Sequence, residues 1–236
     1  ARRIAFHRTA GRGPGVVFLG GFRSDMTGTK AAHLQAWAEA AGRAFLRFDY
    51  SGHGRSSGDF LDGCVGDWAE DAVAAISALT EGPQILVGSS MGGWIALLAA
   101  QALPGRMAGL VGIAAAPDFT EDGIWATLTE AQKVELAQGR VELPSGYSEE
   151  PHIITRQLIE DGRRRLVLCG PLALPFPVRL LQGTADTDVP PAFALRLLDR
   201  AESPDMQLTL VKGADHRFST PQCLDLITRA IAEVSG

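Results

Sequence analysis

The chain has 236 residues, 46% of them hydrophobic and 21% charged, with a formal net charge of −5. This composition predicts a globular protein with a full hydrophobic core, and the negative charge argues against nucleic acid as a partner. No segment has the unbroken apolar length of a transmembrane helix, so no membrane span is expected.

The three cysteines (Cys64, Cys169 and Cys223) are odd in number, widely spaced and without a CxxC pair. They predict a reducing compartment, hence a cytoplasmic location, and no zinc or other metal site. Each is expected to be a small buried apolar residue rather than a nucleophile.

Short apolar segments alternate with longer helical patterns along most of the chain. Strands are predicted at 3–8 (an edge strand), 16–19, 44–48, 85–87, 109–114, 178–181 and 206–211. Helices are predicted at 30–41, 66–79, 91–102, 129–138, 153–164, 190–201 and 220–234. This alternation predicts an α/β fold with a mostly parallel, doubly wound sheet flanked by helices.

The alternation breaks between about 118 and 170, where charged amphipathic segments replace the apolar strands. This stretch is either an inserted cap or a pair of surface helices. We expect one domain over residues 1–236, with a small helical cap insertion at about 118–170.

The pattern Gly88-x-Ser90-x-Gly92 lies between a predicted strand and a predicted helix. It is typical of a nucleophile elbow, in which a serine occupies a strained turn at the end of a strand. Glycines at these two positions avoid crowding at the sharp reversal of the chain. Ser89 does not fit, because it lacks glycines at the matching positions. Ser90 is therefore the predicted nucleophile.

A serine nucleophile needs a base, and the base needs an acid to orient it. In a doubly wound sheet, functional groups lie beyond the carboxyl ends of the strands. Asp186 and Asp188 follow one late strand, and Asp215 and His216 follow the next. We expect His216 to be the base. Asp186 is the favoured acid because it lies closer to its strand, whereas Asp188 could cap the following helix. Asp215, next to His216, is the third candidate.

Acyl transfer also needs donors for the negative charge that develops on the carbonyl oxygen. One predicted donor is the backbone N–H of Met91, directly after Ser90 and at the start of a helix. The other is the N–H of Phe22, which follows Gly20-Gly21 at the end of an early strand. Gly21 is also expected to border the substrate.

Together these motifs identify the chain as similar to the α/β-hydrolases along nearly its whole length. The sequences D-Y-S-G-H-G-R-S (49–56) and G-T-A-D-T-D-V-P (183–190) resemble two loops of that superfamily. Longer stretches resemble the mitochondrial acyl-protein thioesterase family, which also cleaves acyl glucuronides. These stretches are G-F-R-S-D-M-T-G-T-K-A (21–31), R-F-D-Y-S-G (47–52), G-P-Q-I-L-V-G-S-S-M-G-G-W (82–94) and S-G-Y-S-E-E (145–150).

The resemblance implies a serine hydrolase of carboxylic esters or thioesters that needs no cofactor, located in the mitochondrial matrix if the source is eukaryotic. Its partner would be a small acyl ester or thioester, or an acylated protein; the oligomeric state is not predicted. One departure is Gly20-Gly21, where many relatives have His-Gly. Because the donors are backbone groups, we expect the oxyanion hole to be retained with different local support.

Aromatic and apolar residues near these loops are candidates for substrate binding. They are Trp94, Trp125 and Phe218, with Leu128, Leu136 and Tyr147 as further residues of the predicted cap. For Trp94, a place in the core is equally expected. A C–C bond hydrolase, a haloperoxidase-like enzyme, an acyltransferase and a small-ligand receptor without turnover stay open as alternatives.

Overall fold

A mostly parallel sheet of seven strands lies at the centre of the computed structural model, which describes residues 2–144 and 151–236. The described strands are β1 (Phe6–Thr9), β2 (Arg12–Leu19), β3 (Arg43–Phe48), β4 (Gln84–Ser89), β5 (Met107–Ile113), β6 (Arg140–Leu143), β7 (His152–Thr155), β8 (Leu172–Ala173), β9 (Val178–Gly183), β10 (Ala201–Glu202) and β11 (Met206–Val211). The order in the sheet is β1-β3-β2-β4-β5-β9-β11, and β1 alone among these seven is antiparallel to its neighbour.

Helices cover both faces of this sheet. The described α-helices are α1 (Thr29–Ala40), α2 (Val65–Leu79), α3 (Met91–Ala102), α4 (Glu130–Ala137), α5 (Arg156–Arg163), α6 (Pro191–Arg200) and α7 (Pro221–Glu233). One apolar cluster packs α1 and α7 on the sheet, and a second packs α2 and α3 on it. The predicted mostly parallel sheet flanked by helices is thus confirmed. Within the described ranges, none of the helices has the length and apolarity to cross a bilayer.

The central strand β4 is buried along its whole length, between β2 and β5. After Gln84, its residues are apolar or small, as expected for a strand that is covered on both faces. Because parallel strands end at one edge, the loops that follow β2, β4, β5, β9 and β11 meet at that edge. The candidate active site is built from those loops.

The segment 118–170, hereafter the cap segment, contains more than helices. It begins with a π-helical turn (Thr120–Ile124) and a 3-10 turn (Trp125–Thr127), followed by α4, β6, β7 and α5. Strands β6 and β7 form an antiparallel pair with Val141 opposite Ile154, and both of these side chains are buried.

The prediction of a helix over 153–164 was therefore wrong at its start. Residues 152–155 form β7, and the helix begins at Arg156. The cause is local, because the Thr155 side chain accepts a hydrogen bond from Leu158 N at 3.1 Å and caps α5 there.

The three cysteines are not all buried. Cys64 and Cys223 are buried, as predicted, whereas Cys169 is exposed near the end of the cap segment. All three are free thiols.

Candidate active site

Ser90 occupies a strained turn between β4 and α3. Its backbone angles are φ 55° and ψ −122°, a region that residues other than glycine rarely adopt. A Cβ at Gly88 would collide with the carbonyl of Gly92, and one at Gly92 would collide with the carbonyl of Leu19. The two glycines of the predicted elbow are therefore required for the close approach of β2, β4 and α3.

Three side chains from different loops form one hydrogen-bonded chain. Ser90 Oγ lies 3.1 Å from His216 Nε2, and His216 Nδ1 lies 2.9 Å from Asp186 Oδ2. An N–H on Nδ1 donates to the carboxylate, which leaves Nε2 as the acceptor for the serine hydroxyl. The structure thus brings together the residues predicted as nucleophile, base and acid.

The Asp186 carboxylate is saturated with donors. Oδ1 accepts hydrogen bonds from the backbone N–H groups of Asp188 (3.0 Å) and Val189 (2.8 Å), and Oδ2 accepts from Gln182 Nε2 (3.0 Å) as well as from His216. Burial by itself would raise the pKa of Asp186, but the hydrogen bonds from His216 and Val189 outweigh it and lower the pKa. Asp186 is therefore ionised at neutral pH.

The competing carboxylates have other contacts. Asp215 Oδ1 accepts a hydrogen bond from Phe218 N at 3.2 Å. The helix after Asp188, α6, begins at Pro191, and its cap residue Pro190 makes no side-chain cap hydrogen bond. A capping role for Asp188 stays a prediction.

Within the described residues, one group of side chains has ligand atoms close enough together to share a cation. It consists of Asp186, Asp188 and His216. Both ring nitrogens of His216 are already engaged, one with Asp186 and one with Ser90. The arrangement suits proton transfer rather than metal binding.

The two predicted oxyanion donors border Ser90. The carbonyl of Gly21 accepts hydrogen bonds from Ser24 N (3.2 Å) and Ser24 Oγ (2.8 Å). In a trans peptide the following N–H points the other way, so the Phe22 N–H is directed away from Ser24. Met91 is the first residue of α3, where backbone N–H groups lack an acceptor within the helix.

Aromatic packing supports the Phe22 side of this loop. The Phe22 ring makes edge-to-face contacts with Phe60, Phe119 and Trp68, with ring centroids 4.9, 5.8 and 5.9 Å away. Such contacts stabilise beyond the area that they bury. We expected the loop at Gly20-Gly21 to have different local support from that in many relatives. Part of its support is this aromatic cluster around Phe22.

Ser90 and His216 open into a cavity of about 620 Å³. One part of its lining, hereafter the apolar wall, consists of Phe119, Ile124, Leu143, Ile154 and Phe193. Another part, hereafter the polar wall, consists of Ser24, Asp25, Thr29, Lys30 and Arg217. The apolar wall comes from the cap segment and α6. The polar wall comes from the loop after β2, the start of α1 and the loop after β11. A mostly apolar cavity with a few polar groups is the usual form of a small-molecule site.

Lys30 brings a cationic group to the polar wall. Its Nζ donates a hydrogen bond to the carbonyl of Arg217, the residue after His216. Burial lowers the pKa of Lys30, and the nearby Asp215 carboxylate acts in the opposite direction. The lysine thus ties the start of α1 to the loop that carries His216.

Of the residues predicted to bind substrate, Gly21 lines the cavity. Trp94 and Phe218 do not belong to its described lining, because both are fully buried in the core. Trp94 Nε1 donates to the carbonyl of Arg165 at 3.2 Å, which fixes the indole against the end of the cap segment.

Trp125 is also absent from the described lining of the cavity. It lies on the cap segment with the guanidinium carbon of Arg163 4.2 Å from its ring centroid. Leu128 and Leu136 are buried core residues, and Tyr147 falls outside the described residues.

The apolar wall holds residues that the sequence prediction missed. Phe119 and Ile124 follow β5, and the rule applied to the other strand ends would have selected this one too. Leu143 and Ile154 could not be found in this way, because they reach the cavity only through the β6–β7 pairing.

The Serine aminopeptidase, S33 family model matches residues 15–220 of this chain. The chain belongs to this family of α/β-hydrolases. A relative from Rattus norvegicus, named palmitoyl-protein thioesterase ABHD10, mitochondrial, is 38% identical over 98% of this chain and 78% of its own length.

Solved structures agree with the assignment to the α/β-hydrolases. A protein from Agrobacterium vitis S4 is 45% identical with a TM-score of 0.96, over 100% of this chain and 94% of its own. The α/β hydrolase domain-containing protein 10 from mouse is 37% identical with a TM-score of 0.91, over 98% and 93%. The predicted α/β-hydrolase fold and the predicted enzyme class, a hydrolase, are confirmed.

Proposed function

We propose that this α/β-hydrolase cleaves thioesters and carboxylic esters of apolar acyl groups through an acyl-enzyme on Ser90. The continuous hydrogen-bonded chain from Ser90 through His216 to the ionised Asp186, opening into the cavity, is the observation that carries this proposal. At the level of ester or thioester hydrolysis, the predicted activity is confirmed by its family and relatives, which include a monoacylglycerol lipase of Mycolicibacterium smegmatis.

The reaction proceeds in two acyl-transfer steps. His216 Nε2 removes the hydroxyl proton as Ser90 Oγ attacks the acyl carbonyl carbon. The N–H groups of Phe22 and Met91 stabilise the oxyanion, and Asp186 stabilises the imidazolium. The tetrahedral intermediate collapses, His216 protonates the departing sulfur or oxygen, and the acyl group stays on Ser90.

Water then completes the cycle. It enters the place of the leaving group and gives a proton to His216 Nε2 as its oxygen attacks the acyl carbon. The same donors stabilise the second oxyanion, and His216 returns the proton to Ser90 Oγ as the carboxylic acid departs.

The two walls divide the substrate between them. The apolar wall removes an acyl chain from water, at about 0.8 kcal/mol for each buried CH₂ group. The polar wall, with Lys30 and Arg217, receives the more polar leaving group. The rat relative is named a palmitoyl-protein thioesterase, which supports a long acyl chain on a protein thiol, so we propose acylated proteins and small thioesters as substrates.

No contact of the described residues favours a C–C bond hydrolase, a haloperoxidase-like enzyme, an acyltransferase or a receptor without turnover over ester hydrolysis. We propose a cytoplasmic location, or the mitochondrial matrix if the source is eukaryotic. The mitochondrial relatives support the second of these.

Ser90→Ala tests the assignment, with the neighbouring Ser89→Ala as the matched control. Ser89 is buried at the end of the same strand and also lines the cavity. We expect Ser90→Ala to lower kcat for decanoyl thioesters and p-nitrophenyl butyrate by roughly 10⁶-fold. A fluorophosphonate should label Ser90 in the wild type and in Ser89→Ala, as measured by peptide mass spectrometry.

Folding of each variant is checked by its melting temperature. Turnover that persists in Ser90→Ala, or an equal loss in Ser89→Ala, would contradict the proposal.

A further inference from the structure

The two ends of the cap segment meet at one carboxylate. Asp118 Oδ1 accepts a hydrogen bond from Val167 N at 2.8 Å, and Oδ2 accepts one from Leu168 N at 2.9 Å. Asp118 is 1% exposed and has a positive φ of 59°. A single side chain thus joins the first residue of the segment to its last turn.

The Asp118 backbone leads directly into Phe119 and Ile124 of the apolar wall. Its carbonyl accepts from the N–H groups of Glu121 and Asp122, both at 3.0 Å, which closes the first turn of Thr120–Ile124. Phe119 and Ile124 in this stretch line the cavity. Their position therefore depends on how the Asp118 backbone is held.

Both sides of this connection are tied to the nucleophile helix and its elbow. Ala116 N donates to the carbonyl of Ser90 at 3.1 Å, two residues before Asp118. On the other side, Trp94 Nε1 of α3 holds the carbonyl of Arg165. The Phe119 ring lies on Trp94, with ring centroids 5.7 Å apart. The carboxylate of Asp118 closes a loop of contacts that begins and ends beside Ser90.

The chemistry of this position calls for a carboxylate. Two adjacent N–H groups are satisfied by two acceptor oxygens, and hydrogen bonds to a charged acceptor are roughly twice as strong as neutral ones. A carboxamide of the same size offers one acceptor oxygen, and its NH₂ group would face the second N–H. That N–H would be buried without a partner, and the end of the cap segment would separate from its start.

We propose that Asp118 is a positioning residue that sets the acyl-chain selectivity of the enzyme by holding Phe119 and Ile124 of the apolar wall at a fixed distance from Ser90. The inference rests on the proposed function, because it takes the apolar wall as the acyl site. A short acyl group reaches only Ser90 and the oxyanion donors, whereas a long chain needs the wall in place.

The matched control is Asp161, a second buried carboxylate of the cap segment. It is 4% exposed and accepts from Gly66 N of α2 at 2.7 Å, and it does not line the described cavity. Asp118→Asn should lower kcat/KM for a decanoyl thioester relative to an acetyl thioester by about tenfold. Asp161→Asn should lower the melting temperature comparably and leave this ratio unchanged.

Two further measurements keep the test decisive. Asp118→Glu retains two acceptor oxygens and should keep most of the wild-type ratio of decanoyl to acetyl kcat/KM. It provides a second variant to measure if Asp118→Asn does not fold. In the Ser90→Ala background, binding of a decanoyl thioether analogue, followed by calorimetry, should weaken about tenfold with Asp118→Asn and not with Asp161→Asn.

The binding arm does not depend on turnover, so failure of the hydrolase proposal would not affect it. An unchanged selectivity ratio and unchanged binding in a folded Asp118→Asn would overturn the inference, as would an equal shift in Asp161→Asn.

Discussion

Asp186 shows how much of the chemistry depends on hydrogen bonds outside the reacting atoms. Of its four hydrogen bonds, one is to His216 and three are to Gln182 and the backbone of its own loop. These three fix the plane of the carboxylate, so that Oδ2 meets the imidazole. They also help to keep the acid ionised despite its burial.

Replacing Asp186 by Asn should therefore affect activity far more than shape. The carboxamide cannot stabilise the imidazolium, and its NH₂ group favours the wrong imidazole tautomer. We expect kcat for p-nitrophenyl butyrate to fall by roughly 10⁴-fold. Steady-state kinetics at pH 8 would measure it.

Asp215→Asn is the matched control, because this carboxylate is next to His216 but bonds the Phe218 N–H instead. Its kcat should stay within about twofold of the wild type, because a surface substitution usually changes a free energy by no more than about 0.5 kcal/mol. If kcat fell as far in Asp215→Asn as in Asp186→Asn, the assignment of Asp186 as the acid would be contradicted.

Single residues differed in how well the sequence predicted their place. Ser90, Asp186 and His216 could be selected because each follows a recognisable strand, and strand ends meet whatever the details of packing. Trp94 could not be placed, since its burial depends on the cap segment that covers it. Phe218 could not be placed either, because its burial depends on the apolar cluster around α7.

At the scale of elements, the elbow is a junction of β2, β4 and α3. Gly92 lies in the first turn of α3, against the carbonyls of Leu19 and Gly20 at the end of β2. The strand that leads to Phe22 therefore touches the helix that starts at Met91. This contact therefore sets the spacing between Phe22 and Met91, the two proposed oxyanion donors.

Gly92→Ala should disturb both stability and activity. The added methyl group collides with backbone rather than with a movable side chain, so β2 and α3 must separate, at a cost of about 3 kcal/mol. Separation moves the donors, and kcat should fall by roughly 10². Urea unfolding and ester kinetics measure the two effects.

Gly170→Ala provides the comparison, because a Cβ there meets no atom within 4 Å. It should leave both quantities unchanged. An active, fully stable Gly92→Ala would show that the junction tolerates a wider spacing.

The elements also set the limit of sequence-based prediction. The long parallel strands and their helices have strong periodic patterns and were found within a few residues. Strands β6 and β7 have four residues each, too few to show a strong periodic pattern. Only their pairing with each other makes them strands, and no short window of sequence contains that pairing.

For the whole molecule, the ionised Asp186 couples folding to pH. Its pKa is lowered in the folded state from the ordinary 3.8. The stability that it contributes is therefore complete above pH 3.8 and is lost as the pH falls through the lowered value. At low pH the folded protein must protonate a buried acid that has four donors around it.

The stability difference between the wild type and Asp186→Asn should thus shrink as the pH falls below 3.8. Urea unfolding at pH 7, 5, 4 and 3 would measure it. Ser90→Ala removes no group that titrates in this range, and its difference from the wild type should not vary with pH. A difference for Asp186→Asn that grows toward pH 3 would mean that the pKa is shifted in the other direction.

The junction of Asp118 with Val167 and Leu168 gives the cap segment a narrow neck. About fifty residues separate Asp118 from Val167 and Leu168 in sequence, yet their backbone positions are neighbours in the fold. Insertions whose ends lie close together are the ones that a host fold tolerates best. We therefore expect this neck to be the position at which the fold would most readily accept a foreign segment.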